Sequence, residues 1–244
     1  MALDLFVSLQ AMFVKKIPNI LTLCNLLCGC MSIAYAFGGH LRMACAFIFI
    51  AAVFDFCDGM AARLLDAKSA IGRELDSLSD VVSFGVAPSV LAYMMLALQP
   101  AWGHYWACIA FVMAAASAYR LAKFNTEDDS DFFRGVPTPA NAIFWASLAL
   151  HACHEGVFLK GYYLLVLVFV MSFLLVCNYR MFSFKIQNRS WQAQRVVYLF
   201  LASAIVLFAL FGFLGLAVTV FLYPLFSWVH FYMESRNIGN NDIS

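Results

Sequence analysis

Residues 54–80 read FDFCDGMAARLLDAKSAIGRELDSLSD, and four carboxylates in this stretch lie beside long apolar runs. Asp55 and Asp58 end one hydrophobic block; Asp76 and Asp80 begin the next. On helices, the first pair is about 60° apart in projection and the second about 40° apart, so each pair shares one face. A short turn containing Gly72 is expected to fold the two helices antiparallel and aim both pairs at one point.

The rest of the chain fixes the setting. Of 244 residues, 64% are hydrophobic and only 12% charged, too few charges to cover the surface of a soluble domain. The formal net charge of +1 excludes a global field that would recruit nucleic acid. Eight apolar segments run near 18–37, 42–65, 76–98, 102–122, 138–153, 161–179, 194–211 and 213–232. Most approach the roughly 20 residues that a bilayer-crossing helix needs. The expected fold is all-α: a polytopic membrane bundle of about eight helices forming one domain, 18–233. Residues 1–17 read as an interfacial amphipathic helix rather than a signal peptide, and 234–244 as a mobile polar tail.

Charge orients the bundle. Thirteen of the 15 Lys and Arg fall on one side, with only Arg42 and Lys160 opposite. By the positive-inside rule that side, both termini and the acids face the cytoplasm. Eight cysteines in a chain of this type read as small helix packers, not a disulfide framework or zinc site. His151, His154 and Glu155 have the wrong spacing for a zincin helix and lie on the opposite side. Glu127, Asp128, Asp129 and Asp131 read as a solvated loop, and Pro88 as a kink in the third helix.

Four clustered anions in a low-dielectric wall repel, and each ionised acid inside hydrocarbon costs roughly 2.5–3.5 kcal/mol. The plain alternative is a solvated helix end whose acids pair with Lys68 and Arg73. The convergence of two helix faces favours bound divalent cations instead, and all-oxygen ligands suit Mg²⁺ or Mn²⁺. Two such ions, bridged about 3.5–4 Å apart, would clamp a pyrophosphate. Gly59 lets a nucleotide approach the backbone, and Arg63 offers a bidentate phosphate contact.

Asp55-x2-Asp58-Gly59-x2-Ala62-Arg63-x8-Gly72-x3-Asp76-x3-Asp80 resembles the full signature of the CDP-alcohol phosphotransferase family. Residues 17–29 (IPNILTLCNLLCG), 76–89 (DSLSDVVSFGVAPS), 119–125 (YRLAKFN) and 135–139 (GVPTP) are similar to its phosphatidylserine synthase branch. The likeness covers about 17–142. It implies a homodimer with a six-helix core, to which the last two helices are an addition. It also implies phosphatidyl transfer from CDP-diacylglycerol to L-serine, with two Mg²⁺ or Mn²⁺ ions. Asp55, Asp58 and Asp76 would bind metal, and Asp80 would bind metal and act as general base. Asp58, Gly59, Ala62, Arg63, Ser69 and Gly72 would contact the CDP-diacylglycerol, flanked by Asn19 and Thr22. A serine carboxylate needs a cation, for which Arg120 and Lys123 are candidates alongside Asn125 and Thr138. They compete with a lipid-phosphate role for such helix-end cations.

Two other readings stand beside this one. The same transfer could end on glycerol phosphate, inositol phosphate or choline, since the acceptor pocket lies outside the signature. A transporter with intramembrane acids is the other, but transporters place such groups near the midplane on broken helices with repeat symmetry.

Overall fold

Each apolar block forms a helical segment in the computed structural model, which describes residues 16–67, 69–99, 103–126, 133–156, 158–181 and 191–241. Lipid offers no partner to backbone N–H and C=O groups, so a spanning segment must satisfy them internally. The helices are α1 (Ile17–Phe37), α2 (Leu41–Leu64), α3 (Ala70–Asp80), a π-helical segment Val81–Val86, and α4 (Ala87–Ala97). Next come α5 (Gly103–Ala107), a 3-10 turn Cys108–Phe111, α6 (Val112–Thr126), α7 (Thr138–Glu155), α8 (Gly161–Val176), α9 (Trp191–Phe211) and α10 (Phe213–Asn241). Two-residue strands β1 (Phe133–Arg134) and β2 (Arg180–Met181) pair antiparallel.

The chain is a polytopic membrane helical bundle. Four continuous segments, Ile17–Phe37, Leu41–Leu64, Ala70–Ala97 and Tyr105–Thr126, are long and apolar enough on their own to cross a bilayer. Gly161–Val176, Tyr198–Phe211 and Phe213–Val229 are shorter apolar helices. α7 is the central helix: it packs on α2, α4 and α10, and its Trp145 is the largest fully buried side chain among the described residues. Arg42 Nη2 donates to the Cys153 carbonyl at 2.8 Å, placing a cation on the otherwise orphaned C-terminal carbonyls of α7. This joins the start of α2 to the end of α7, at the end of the bundle opposite the acids.

Four expectations change. The turn between the second and third helices spans residues 65–69 rather than containing Gly72. Ser69 Oγ accepts the Gly72 N–H at 3.0 Å, so this side chain caps the helix and starts it at Ala70. Asp66, at φ 47, makes the reversal. Pro88 produces a π segment: it has no N–H and would crowd the carbonyl one turn back. The wider turn, in which the Ala87 N–H reaches Val82 O, absorbs that defect. The last helix continues to Asn241 rather than giving way to a tail at 234. All eight cysteines are free thiols, but Cys30 and Cys108 are exposed rather than packed inside. The expected interfacial helix, Lys68 and the acidic loop 127–131 lie outside the described residues.

Lipid tails are as apolar as leucine, so polar bonds and small residues hold membrane helices together. The seam between α1 and the third helix follows this rule. Ser79 Oγ donates to Thr22 O at 3.2 Å, and Ser83 Oγ donates to Asn25 O at 2.9 Å. At Gly29 a Cβ would stand 2.8 Å from Ser83 Cα, so the two backbones touch there. Gly29→Ala is expected to destabilise the fold by roughly 1–3 kcal/mol through overpacking. Thermal unfolding in detergent micelles checks this, and an unchanged midpoint would contradict the close approach.

Candidate active site

The third helix carries Asp76 and Asp80 past the end of α2, which carries Asp55 and Asp58. Carboxylate oxygens of Asp55, Asp76 and Asp80 all lie within 4.8 Å of one another. The Asp55 and Asp80 carboxyls are within hydrogen-bonding reach of each other. Asp58 stands beside this trio, buried, with the Thr22 hydroxyl in reach. Asp80 is buried and fixed from α1, where Asn25 Nδ2 donates to its Oδ1 at 3.2 Å.

These groups fit a divalent cation. Buried oxygens Asp58 Oδ2 and Asp76 Oδ1 have no hydrogen-bond partner among the described residues, a costly state for a carboxylate unless an ion completes it. Arg63 does not serve that purpose, because its Nε turns back to Gly59 O at 2.9 Å. An all-carboxylate donor set is that of a hard cation.

The residues expected to meet the donor converge on the same end. Asn19 Oδ1 stands 3.1 Å from where a Cβ on Gly72 would be, so α1 and α3 meet closely there. Thr22 is buried and donates to Pro18 O at 3.0 Å. A Cβ on Gly59 would meet nothing nearer than Arg63 Nη2, at 3.8 Å. Protein packing therefore does not demand glycine at 59, and the space above it is free for a ligand. Ala62 is half-buried on the same helix end. Ser69 Oγ is occupied as the cap of α3.

The residues expected to meet the acceptor divide. Arg120 is half-buried on α6, near enough to Asp80 for their charges to interact. Thr138 is buried in the first turn of α7. Lys123 Nζ instead donates to Asn178 Oδ1 at 2.6 Å, tying α6 to the end of α8. Asn125 Nδ2 donates to Ser77 Oγ at 2.9 Å and to Glu74 Oε2 at 3.4 Å, tying α6 to α3. Gly135, at φ 69, lets the loop before Thr138 lie on α8, where a Cβ would meet Leu175 O at 2.7 Å. His154 Nδ1 pairs with Glu155 Oε1 at 3.1 Å, at the far end of α7.

Sequence reasoning missed Asn25, Ser77 and Asn178. Asn25 had a signal: it continues the three-residue spacing of Asn19 and Thr22 inside an apolar helix, where a buried amide is expensive. Alongside the acids runs an oily flank, with Phe56, Met60, Leu64, Ile71 and Leu78 all exposed on α2 and α3.

The comparisons agree on one chemistry. Residues 15–174 match the family described as CDP-alcohol phosphatidyltransferase. The CDP-diacylglycerol–serine O-phosphatidyltransferase of Helicobacter pylori is 32% identical over 220 residues, covering 87% of this chain and 90% of that one. The enzyme of the same description from Bacillus subtilis is 42% identical over 125 residues, 50% of this chain and 69% of the other. Its counterpart from Mycobacterium tuberculosis is 34% identical over 170 residues, 66% and 58% of the two chains.

Proposed function

The chain belongs to the CDP-alcohol phosphatidyltransferase family, and on that premise we propose that it forms phosphatidylserine and CMP from CDP-diacylglycerol and L-serine. It is a phosphatidyl-transferring enzyme of the membrane. One observation carries the chemistry: the 4.8 Å gathering of Asp55, Asp76 and Asp80, with Asp80 held by Asn25. Likeness to a relative described as a CDP-diacylglycerol–serine O-phosphatidyltransferase, over 87% of this chain and 90% of that one, supports serine as the acceptor.

Asp55, Asp58, Asp76 and Asp80 would hold divalent cations: the donor chemistry suits Mg²⁺ or Mn²⁺, and the family resemblance supports two ions. When bound, such ions neutralise charge on the pyrophosphate. Asp80 takes the proton from the serine hydroxyl. The new bond joins the serine oxygen to the phosphorus bearing diacylglycerol; the bond to the bridging oxygen breaks, and CMP leaves with that oxygen. Asn25 aims the Asp80 carboxylate, since a base must be held within hydrogen-bond reach of its proton. Asn19, Thr22, Gly59, Ala62, Arg63, Ser69 and Gly72 line the donor side, where Arg63 swings from Gly59 O to a phosphate.

Arg120 holds the serine carboxylate, for which its planar fork is matched, with Thr138 beside it. Lys123 and Asn125 lock the acceptor wall to α8 and α3. The excess of Lys and Arg at the acid end of the bundle supports a cytoplasmic site, and the family resemblance supports a homodimer.

The experiment is CMP release from CDP-diacylglycerol with one alcohol at a time. Serine is expected to exceed glycerol phosphate, inositol phosphate and choline by at least about 100-fold in kcat/KM, since a site built for one set of polar groups rejects others. Comparable rates with any of these alternatives would overturn serine as the acceptor.

A further inference from the structure

Asn125 stands near the end of α6 and reaches across to α3. Its Nδ2 donates to Ser77 Oγ at 2.9 Å and to Glu74 Oε2 at 3.4 Å, and its Oδ1 accepts the Ser77 hydroxyl at 3.2 Å. Both N–H groups of the amide are thereby committed to α3. Ser77 and Glu74 flank Asp76 in the chain, so the contact bears on the helix that carries two of the four acids.

At 100° per residue, α3 presents these side chains in three neighbouring sectors. With Asp76 at zero, Asp80 lies about 40° to one side, and Ser77 and Glu74 about 100° and 160° round the same way. Ser79 lies about 60° to the other side, where its Oγ donates to Thr22 O of α1 at 3.2 Å. The acid face of α3 is therefore held on both flanks, from α1 and from α6, which fixes the rotation of the helix about its axis. Asp80 has a bond of its own to Asn25, whereas Asp76 Oδ1 is buried with no hydrogen-bond partner among the described residues. The place of Asp76 in the 4.8 Å gathering thus depends on how α3 is turned. A turn of about 20° carries a side-chain tip, roughly 5–6 Å from the axis, through about 2 Å. Cation ligands tolerate only about 0.2 Å, so a small loss of rotational hold is enough to spoil the site.

We propose that Asn125 is a positioning residue for the cation site: through Ser77 and Glu74 it sets the rotation of α3 that delivers Asp76. This moves Asn125 from the acceptor to the cation, and it rests on the reading of Asp76 as a ligand.

The test measures Mn²⁺ affinity by electron paramagnetic resonance, with the full-length protein in lipid nanodiscs, for Asn125→Ala, Ser77→Ala, the double variant and Asp76→Asn. Asn125→Ala is expected to weaken Mn²⁺ binding roughly 10-fold, the low end of what loss of a ligand's hydrogen-bonded support costs. Ser77→Ala keeps the Glu74 contact and weakens binding less. The double variant matches Asn125→Ala, because residues acting through one contact are not additive. At saturating Mn²⁺ the KM for serine stays at its wild-type value in Asn125→Ala. Affinity is read on the folded fraction, so a plain loss of stability leaves it unmoved. Wild-type affinity in Asn125→Ala, with weakened binding in Asp76→Asn, overturns the role of Asn125 alone. Wild-type affinity in Asp76→Asn overturns the ligand reading beneath it. A raised KM for serine at saturating Mn²⁺ also overturns the proposal and returns Asn125 to the acceptor.

Discussion

Asp80→Asn is expected to lower kcat by at least about 10²–10⁴-fold, the range that a positioned general base contributes, while CDP-diacylglycerol still binds. The substitution is nearly isosteric. An Asn at 80 can present its carbonyl oxygen to Asn25 Nδ2, so the 3.2 Å contact with α1 has a replacement and the seam stays closed. What disappears is the capacity to accept the serine proton, together with one of the four carboxylates that would hold the cations; Asp55, Asp58 and Asp76 remain for them. Donor binding relies on the other end of the cluster, where Gly59 leaves open space and Asn19 and Thr22 line α1. Turnover and lipid affinity should therefore separate, with turnover nearly abolished and the dissociation constant in nanodiscs changed only a few-fold. A variant with near-wild-type turnover would remove the assignment of Asp80 as base.

Chelation is the second large effect. Stripping divalent ions should bring CMP release to background, and Mg²⁺ or Mn²⁺ should restore it. A thermal readout makes the assignment independent of activity. Three carboxylates within 4.8 Å repel one another when no cation is bound. Saturating metal should accordingly raise the unfolding midpoint, by an amount equivalent to about 2.7 kcal/mol at 100 times the dissociation constant. Asp55→Asn removes one of the repelling charges. It should raise the midpoint of the metal-free protein and shrink the rise that metal induces. Full activity in chelator, or an unaltered metal-induced shift in Asp55→Asn, would sink the metal assignment.

Much of this molecule could be read along the chain. Lipid forces each apolar block into a helix, so the eight segments were legible. So was the pairing of acids on two helix faces, because i,i+3 and i,i+4 spacings translate directly into direction. Local capping shifted the reading at Ser69, whose hydroxyl starts α3 before Gly72. The defect at Pro88 was legible, but its resolution as a π turn was not, because a proline does not specify how the neighbouring carbonyls re-pair. α7 read as an ordinary span; a helix buried on every side loses the periodicity that would reveal its central place. Links across long sequence gaps were illegible in principle. Asn25 meets Asp80 and Lys123 meets Asn178 only after folding, and no spacing rule on one chain connects them. Lys123 and Asn125, read along the chain as candidates for an amino acid ligand, are engaged with Asn178 and with Ser77, bonds that no spacing rule foretells.

The exposed Phe56, Met60, Leu64, Ile71 and Leu78 interleave with the acids on the same two helices. Acyl chains lying against this flank would remain in the leaflet while only the headgroup turned inward. The donor then never leaves its two-dimensional phase, and no energy is spent extracting about 0.8 kcal/mol per methylene. Catalysis under such conditions follows the mole fraction of CDP-diacylglycerol in the membrane plane. Diluting the lipid with inert neighbours slows the enzyme even when its amount per volume is unchanged.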